Sequence, residues 1–167
     1  RKVAGLDIGN YNGSWDKLFS KSIKVLRKFS QFLLITDGDT SILDSLKGKV
    51  KVLVQRCLWH IPYQAKYVLW QDGVKHKSAE WLQVMSELME ICAIRPLVDC
   101  EKTIKKMIES KRKRLESVIQ YCLSKGYPHT ASYLENAMPD MFTAIEKRLK
   151  GKTTSKVYLK GSQNVIY

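Results

Sequence analysis

Negative charge is scarce in this chain. Sixteen Asp and Glu stand against 29 Lys and Arg, a formal net charge of +13 at pH 7. That imbalance keeps the protein off neutral surfaces and favours polyanions. Nucleic acid leads among them, because Lys and Arg bound to phosphates release counterions, and a plain solvated basic surface is the alternative. Cysteine is sparse too. Cys57, Cys92, Cys100 and Cys122 are scattered without the dense spacing of a disulfide framework, and no leader-like segment precedes them, which predicts a reducing, cytoplasmic setting. No apolar run approaches the roughly 20 residues of a membrane span, so no membrane is expected. There is no internal repeat and no low-complexity tract. What is present, 167 residues with 44% hydrophobic content, suffices for one domain with a substantial core and an extension.

Residues 2–8 read as a short strand and Gly9 to Gly13 as a turn-rich connection. Ser14 is placed to cap a helix whose Trp15, Leu18, Phe19, Ile23 and Leu26 share one face. Phe32 to Ile35 is continuously apolar and predicts a buried central strand. A short helix over Thr40 to Leu46, ended by Gly48, leads to a strand over Val50 to Val54. Strand, helix, strand, short helix, strand is an α/β order with right-handed crossovers.

Beyond His60 the pattern is helical until about Val157. Pro62 suits a first turn, and Tyr63, Tyr67 and Trp70 continue that helix to a break at Gln71-Asp72-Gly73. Ser78 caps the next, with Trp81, Met85, Leu88, Met89 and Cys92 as one stripe. A long helix from about Pro96 to Lys125 turns Ile104, Ile108, Leu115, Val118, Ile119 and Cys122 inward and its Lys and Arg largely outward, and Gly126 and Pro128 stop it. A last helix spans about Thr130 to Leu149, with Pro139 expected to kink or split it.

Asp37 is the leading candidate for chemistry. A carboxylate just after a strand is poised to bind a divalent ion through oxygen, although Asp37-Gly38 also has the composition of a simple turn. Asp39 suits a helix cap, and Asp7 reads as a solvated or turn-bonding residue, with a second carboxylate on an adjacent strand as the other possibility. Cys57 and His60 lie three apart and could share a metal or a hydrogen-bond network. Structural zinc needs about four ligands, however, and Cys92, Cys100, His76 and His129 sit singly, so zinc is not expected. Lys111-Arg112-Lys113-Arg114 could grip phosphate, but consecutive charges encircle a helix and only some can face one ligand. Trp59, Tyr63, Tyr67 and Trp70 have helical spacing and are expected in a core or between helices rather than as a base-stacking platform.

Thr36-Asp37-Gly38, followed by a β-run ending in Val54-Gln55-Arg56-Cys57-Leu58-Trp59-His60, closely resembles the insertion-sequence transposases of the Mutator type found in bacteria and archaea. Their hallmark is an S/T-D-G turn followed by a Q-R-C-x-x-H block, and Ser14-Trp15-Asp16 fits their pattern upstream. The resemblance covers roughly Val3 to Val157. It implies an α/β fold: a partial ribonuclease-H-like sheet of about three strands over residues 1–60, a mainly α-helical insertion over 61–152, and a remnant of the final catalytic helix over 153–167. It also implies DDE-type chemistry, in which three acidic residues hold two Mg2+ (or Mn2+) ions while water and then a DNA 3′-hydroxyl attack phosphodiesters. Asp37 maps onto the second acidic ligand and Cys57 and His60 onto the Cys-x-x-His signature. The implied partners are double-stranded DNA, at element ends and target, and further copies of the chain, in a prokaryotic cytoplasm near the nucleoid.

Two departures accompany the resemblance. The family's first Asp lies upstream of the strand that opens here, and Arg1 to Gly5 reads as the middle of a domain, so a preceding part is expected. The family's T-T-N/S-x-x-E-R pattern is matched by Thr153-Thr154-Ser155-Lys156-Val157, but Tyr158 and Leu159 stand where Glu and Arg belong, and the tail reads as an interrupted element would. Glu146 and Glu135 lie in the wrong motif. A chain inactive alone is therefore expected, and a non-catalytic DNA-binding or oligomer-interaction remnant of a mobile element is the alternative.

Overall fold

A computed structural model of the chain describes residues 11–29, 31–38, 41–94 and 100–150. The expected strand at residues 2–8, Asp7, Asp39 and the Thr153–Val157 motif lie outside them. Contacts divide the chain into two compact units, with the division between Gln55 and Arg56.

The smaller unit opens with α1, Tyr11–Leu26. Helix therefore begins ahead of Ser14, which is not its cap. The amphipathic stretch behind it outweighs the roughly 1 kcal/mol that Gly13 costs inside a helix. Strand β1, Phe32–Thr36, is followed by one turn of helix, α2, Ser41–Asp44, and then by β2, Val52–Arg56, two residues later than the apolar run suggests. The strands form a two-stranded parallel sheet, so the described chain is mixed helix and strand and mostly helical. The expected burial of β1 on both faces is not observed: Ile35 is 46% exposed, and Leu53 and Val54 on β2 are each 39% exposed. With two strands among the described residues neither is central. Lys49 Nζ bonds Asp16 at 2.8 Å and ties the turn before β2 to α1.

The larger unit contains α3 (His60–Gln71), α4 (Ala79–Cys92), α5 (Glu101–Ser124) and α6 (Pro128–Leu149). Each packs on two others, and α6 returns to α3 to close the ring. Glu87 meets Arg114 while Glu90 meets Lys111, so α4 and α5 run antiparallel. Gln64 meets Tyr133 while Asp72 meets Thr130, so α3 and α6 do as well. Leu58, Ile61, Ala65, Leu69, Leu88, Leu115, Leu134 and Ile145 are part of one continuous core. Several helix ends follow local chemistry. Ser78 Oγ accepts from the Trp81 N–H at 3.2 Å, as expected of a cap. Gly73 and Gly126, both with positive φ, terminate α3 and α5 in paired backbone bonds (Val74 to Leu69 and Gly73 to Trp70; Tyr127 to Cys122 and Gly126 to Leu123). Pro139 lies inside α6 without splitting it, and α6 starts at Pro128, two residues before Thr130, because proline fits a first helical turn. Met89, expected in the inward stripe of α4, is 61% exposed.

Candidate functional site

Asp37 is the first residue after β1, where a parallel sheet presents side chains beyond its carboxyl edge. The Gly38 N–H donates to Thr36 Oγ1 at 3.2 Å, and Gly38 has φ 105°. Strand end and Asp-Gly turn are thus both present: the turn sets the carboxylate at the edge, half-buried. Among the described residues no group of three His, Cys, Asp or Glu side chains is arranged to hold a metal. Glu146 pairs with Lys150 along α6, and Glu135 is exposed on the same helix. A two-ion centre needs several oxygen ligands to fix each ion, so the described donor set does not fit one.

The Q-R-C-x-x-H block runs from β2 through Cys57 into the first turn of α3. Arg56 Nη2 donates to Gln64 Oε1 at 2.7 Å, and the Tyr133 hydroxyl lies 3.1 Å from both that oxygen and the Ile61 carbonyl oxygen. Arg56 thereby anchors α3 and, through Gln64, reaches α6. Burial pushes the Tyr133 phenol up, and bonding to Arg56 offsets only part of this. The His60 N–H donates to the Cys57 carbonyl at 3.2 Å, and His60 Nδ1 is buried without a hydrogen-bond partner. Of the other cysteines, Cys100 is exposed, with its thiol held below the usual range by hydrogen bonds from Thr103, while Cys92 and Cys122 offer little as ligands. Burial pushes Cys92 up to about 12 and Cys122 up to about 11, which keeps both as thiols.

Three members of the 111–114 run are turned into the helical unit. Lys111 Nζ donates to the carbonyls of Glu90, Ile91 and Ala93 at 2.7, 2.8 and 3.2 Å, which uses all three ammonium donors on the last turn of α4. Arg112 lies 4.6 Å over the Phe142 ring, and Arg114 bonds Glu87 through Nε and Nη2 at 3.0 and 2.8 Å. Lys113, whose side chain is 72% exposed, pairs with Glu109 on its own helix at 3.6 Å. Lys111→Met is expected to cost about 1–3 kcal/mol, the penalty for orphaned helix-end carbonyls, and to lower the urea midpoint without changing the slope.

The aromatic residues of α3 are not core. Its buried face is Ile61, Pro62, Ala65 and Leu69, where small side chains permit close approach of neighbouring helices. Trp59, Tyr63, Tyr67 and Trp70 are 64%, 38%, 51% and 75% exposed. Trp59 stacks on Tyr63, Tyr63 meets Tyr67 edge-on, and Lys66 Nζ sits 3.6 Å over the Tyr63 ring. The hydrogen bond shared with Tyr63, aided by the Lys66 charge, holds the Tyr67 phenol below its usual range.

Sequence reasoning missed Asp72. Its side chain, 1% exposed, accepts from the N–H groups of His129 and Thr130 at 3.1 and 2.7 Å and from Thr130 Oγ1 at 2.6 Å, and its oxygen lies 2.7 Å from His129 Nδ1. It caps α6 from the end of α3. The signal available was negative: no Ser, Thr, Asp or Asn stands immediately before Pro128, so the first amides of α6 needed an acceptor from elsewhere.

No described helix is long and apolar enough to cross a membrane. No family model, curated protein or solved structure matches this chain.

Proposed function

We propose that this chain belongs to a DDE-type DNA transposase resembling the Mutator type, with a ribonuclease-H-like catalytic sheet, and that by itself it binds DNA without cutting it. The observation that supports this is the setting of the motif. Thr36-Asp37-Gly38 leaves the carboxyl end of a strand in a parallel sheet, and the Gln55–His60 block runs from the paired strand into a helix. A carboxylate at a strand end is of the residue type that metal-assisted phosphodiester chemistry draws on for its ligands. In this reading Asp37 would supply one oxygen to Mg2+ or Mn2+, and the described residues by themselves do not complete such a site. Cys57 and His60 shape the first turn of α3 and are not zinc ligands in this reading. Further copies of the chain, and a prokaryotic cytoplasm, follow from the resemblance.

The charge of +13 supports DNA as the partner. Lys113 is the member of the 111–114 run best exposed for phosphate, while Lys111, Arg112 and Arg114 hold helices together. The test is a nicking and strand-transfer assay of the chain with Mg2+, beside a salt titration of duplex binding. No cleavage is expected, with binding that weakens steeply as salt rises and loses about one phosphate contact in Lys113→Ala. Cleavage abolished by Asp37→Asn would sink the claim that the chain does not cut alone. Salt-independent or absent duplex binding would sink the DNA assignment.

The second reading is a non-catalytic DNA-binding or oligomer-interaction remnant, favoured by the lack of a three-ligand cluster among the described residues. Under it, DNA binding is unchanged by Asp37→Ala with or without Mg2+. Under the first, Mg2+ strengthens binding and Asp37→Ala removes the increment.

A further inference from the structure

Soluble domains rarely leave large aromatic side chains side by side in water, so an exposed stripe of them points to a ligand. Along α3 and its N-cap four such residues recur at positions 59, 63, 67 and 70, spanning about 16 Å at helical rise. The rings are organised against one another. Trp59 and Tyr63 stack with centroids 4.9 Å apart and planes 20° apart, while Tyr63 and Tyr67 meet at 5.6 Å and their hydroxyls lie within 3.1 Å. Lys66 lies over both tyrosines, 3.6 and 4.7 Å from their centroids, so a cation is fixed at the aromatic surface.

Charge decides what kind of ligand this is. From Arg56 to Lys77 the basic residues are Arg56, Lys66, Lys75 and Lys77, and the one carboxylate is Asp72, net +3 by four minus one. Arg56 is turned inward onto Gln64, and the Asp72 side chain is 1% exposed and engaged at the start of α6, which leaves Lys66 at the rings and the exposed Lys75 and Lys77 as the outward charges of this segment, all positive. A second copy of the chain would bring the same positive charge against itself. A polyanion with flat apolar faces complements the surface best, and unpaired nucleotides have both properties: phosphates for the lysines and base faces for the rings. In a duplex those faces are stacked inside and cannot reach the rings.

We propose that Trp59, Tyr63, Tyr67 and Trp70, with Lys66, form a stacking surface for single-stranded nucleic acid. The surface needs neither Asp37 nor a metal ion. A chain that fails the cleavage and duplex tests above can still pass this one.

The test uses the full chain in EDTA, titrated with a short fluorescently labelled oligothymidylate and with a duplex of equal length. Single-strand binding with quenching of tryptophan fluorescence is expected. Trp59→Ala, Tyr63→Ala and Trp70→Ala should each weaken single-strand binding on the order of ten-fold and leave duplex binding within about two-fold, and Tyr63→Phe should keep most of the affinity because it keeps the ring. These side chains lie outside the core, and an unchanged circular dichroism spectrum confirms that each variant folds. Unchanged single-strand affinity in all three alanine variants overturns the proposal. So does an equal loss for duplex and single strand, competition by polyglutamate as effective as by oligothymidylate (an acidic protein partner), or a self-association that Trp59→Ala abolishes (a second copy).

Discussion

Asp72→Ala is expected to destabilise the helical unit by about 2–4 kcal/mol, although residue 72 lies in a turn. The carboxylate takes hydrogen bonds from two backbone amides, a hydroxyl and an imidazole at the start of α6, and Thr130 is fully buried. Alanine leaves the buried Thr130 amide and hydroxyl with no acceptor, while the exposed His129 amide and ring can turn to water. Loss of a helix cap alone costs up to about 2 kcal/mol, and a stranded buried donor about 1–3 more. Asp72→Asn keeps one carbonyl acceptor but turns an NH2 toward donors, so about half the loss is expected. Urea unfolding followed by circular dichroism reads both. A loss below about 0.5 kcal/mol in Asp72→Ala would show that α6 does not depend on this cap.

The same contacts set a pH dependence. Burial alone would raise the Asp72 carboxyl, but the bonds from Thr130 and His129 outweigh it and hold the group below its usual range. A folded-state pKa below the unfolded one means that the unfolded state binds more protons. Stability from this residue is therefore fully present above the unfolded value, near pH 4, and is lost as pH falls through the folded value. Wild type and Asp72→Ala should converge in stability as the solution is acidified below about pH 4. A gap that stays constant would remove the carboxylate from the account.

Local signals were legible and distant ones were not. The Ser78 cap, the breaks at Gly73 and Gly126 and the strand ending in Thr36-Asp37-Gly38 were readable because each depends on neighbours within a few residues. The cap of α6 was hidden because its acceptor is 57 and 58 residues away from the donors it serves. The aromatic stripe along α3 is visible as a period, but its spacing points to a core or an inter-helix seam, since hydrophobicity ranks Trp and Tyr above Ala and Pro. The helix instead buries Pro62 and Ala65, whose small size lets α4 and α6 approach. Lys111 looked like one of four surface charges, and only the end of α4 opposite it reveals that its donors are consumed. For the candidate site, the strand end and the Asp37-Gly38 turn were readable from local residues, whereas which acidic groups lie near Asp37 depends on contacts between elements, and among the described residues no three-ligand cluster forms.

Leu88→Ala and Met89→Ala, adjacent on α4, separate periodicity from packing with a single measurement. Sequence spacing places both side chains in one inward stripe, yet Leu88 is 0% exposed in the core shared by all four helices and Met89 is 61% exposed. Truncating Leu88 removes buried methyl groups and leaves a cavity that close-packed neighbours fill only in part, for an expected loss of about 2–5 kcal/mol. That is a large share of the roughly 5–15 kcal/mol by which a domain is stable, so Leu88→Ala should lower the urea midpoint sharply or leave the helical unit loosely packed. Met89→Ala forfeits little burial and replaces one good helix former by another, so it should stay within about 0.5 kcal/mol of wild type. Amide exchange along α4 should rise in the first variant and not in the second. Equal losses would mean that α4 presents a different face to α3 and α5 than the one described. The order of the helices around the ring, which rests on the face each presents, would then fall with it.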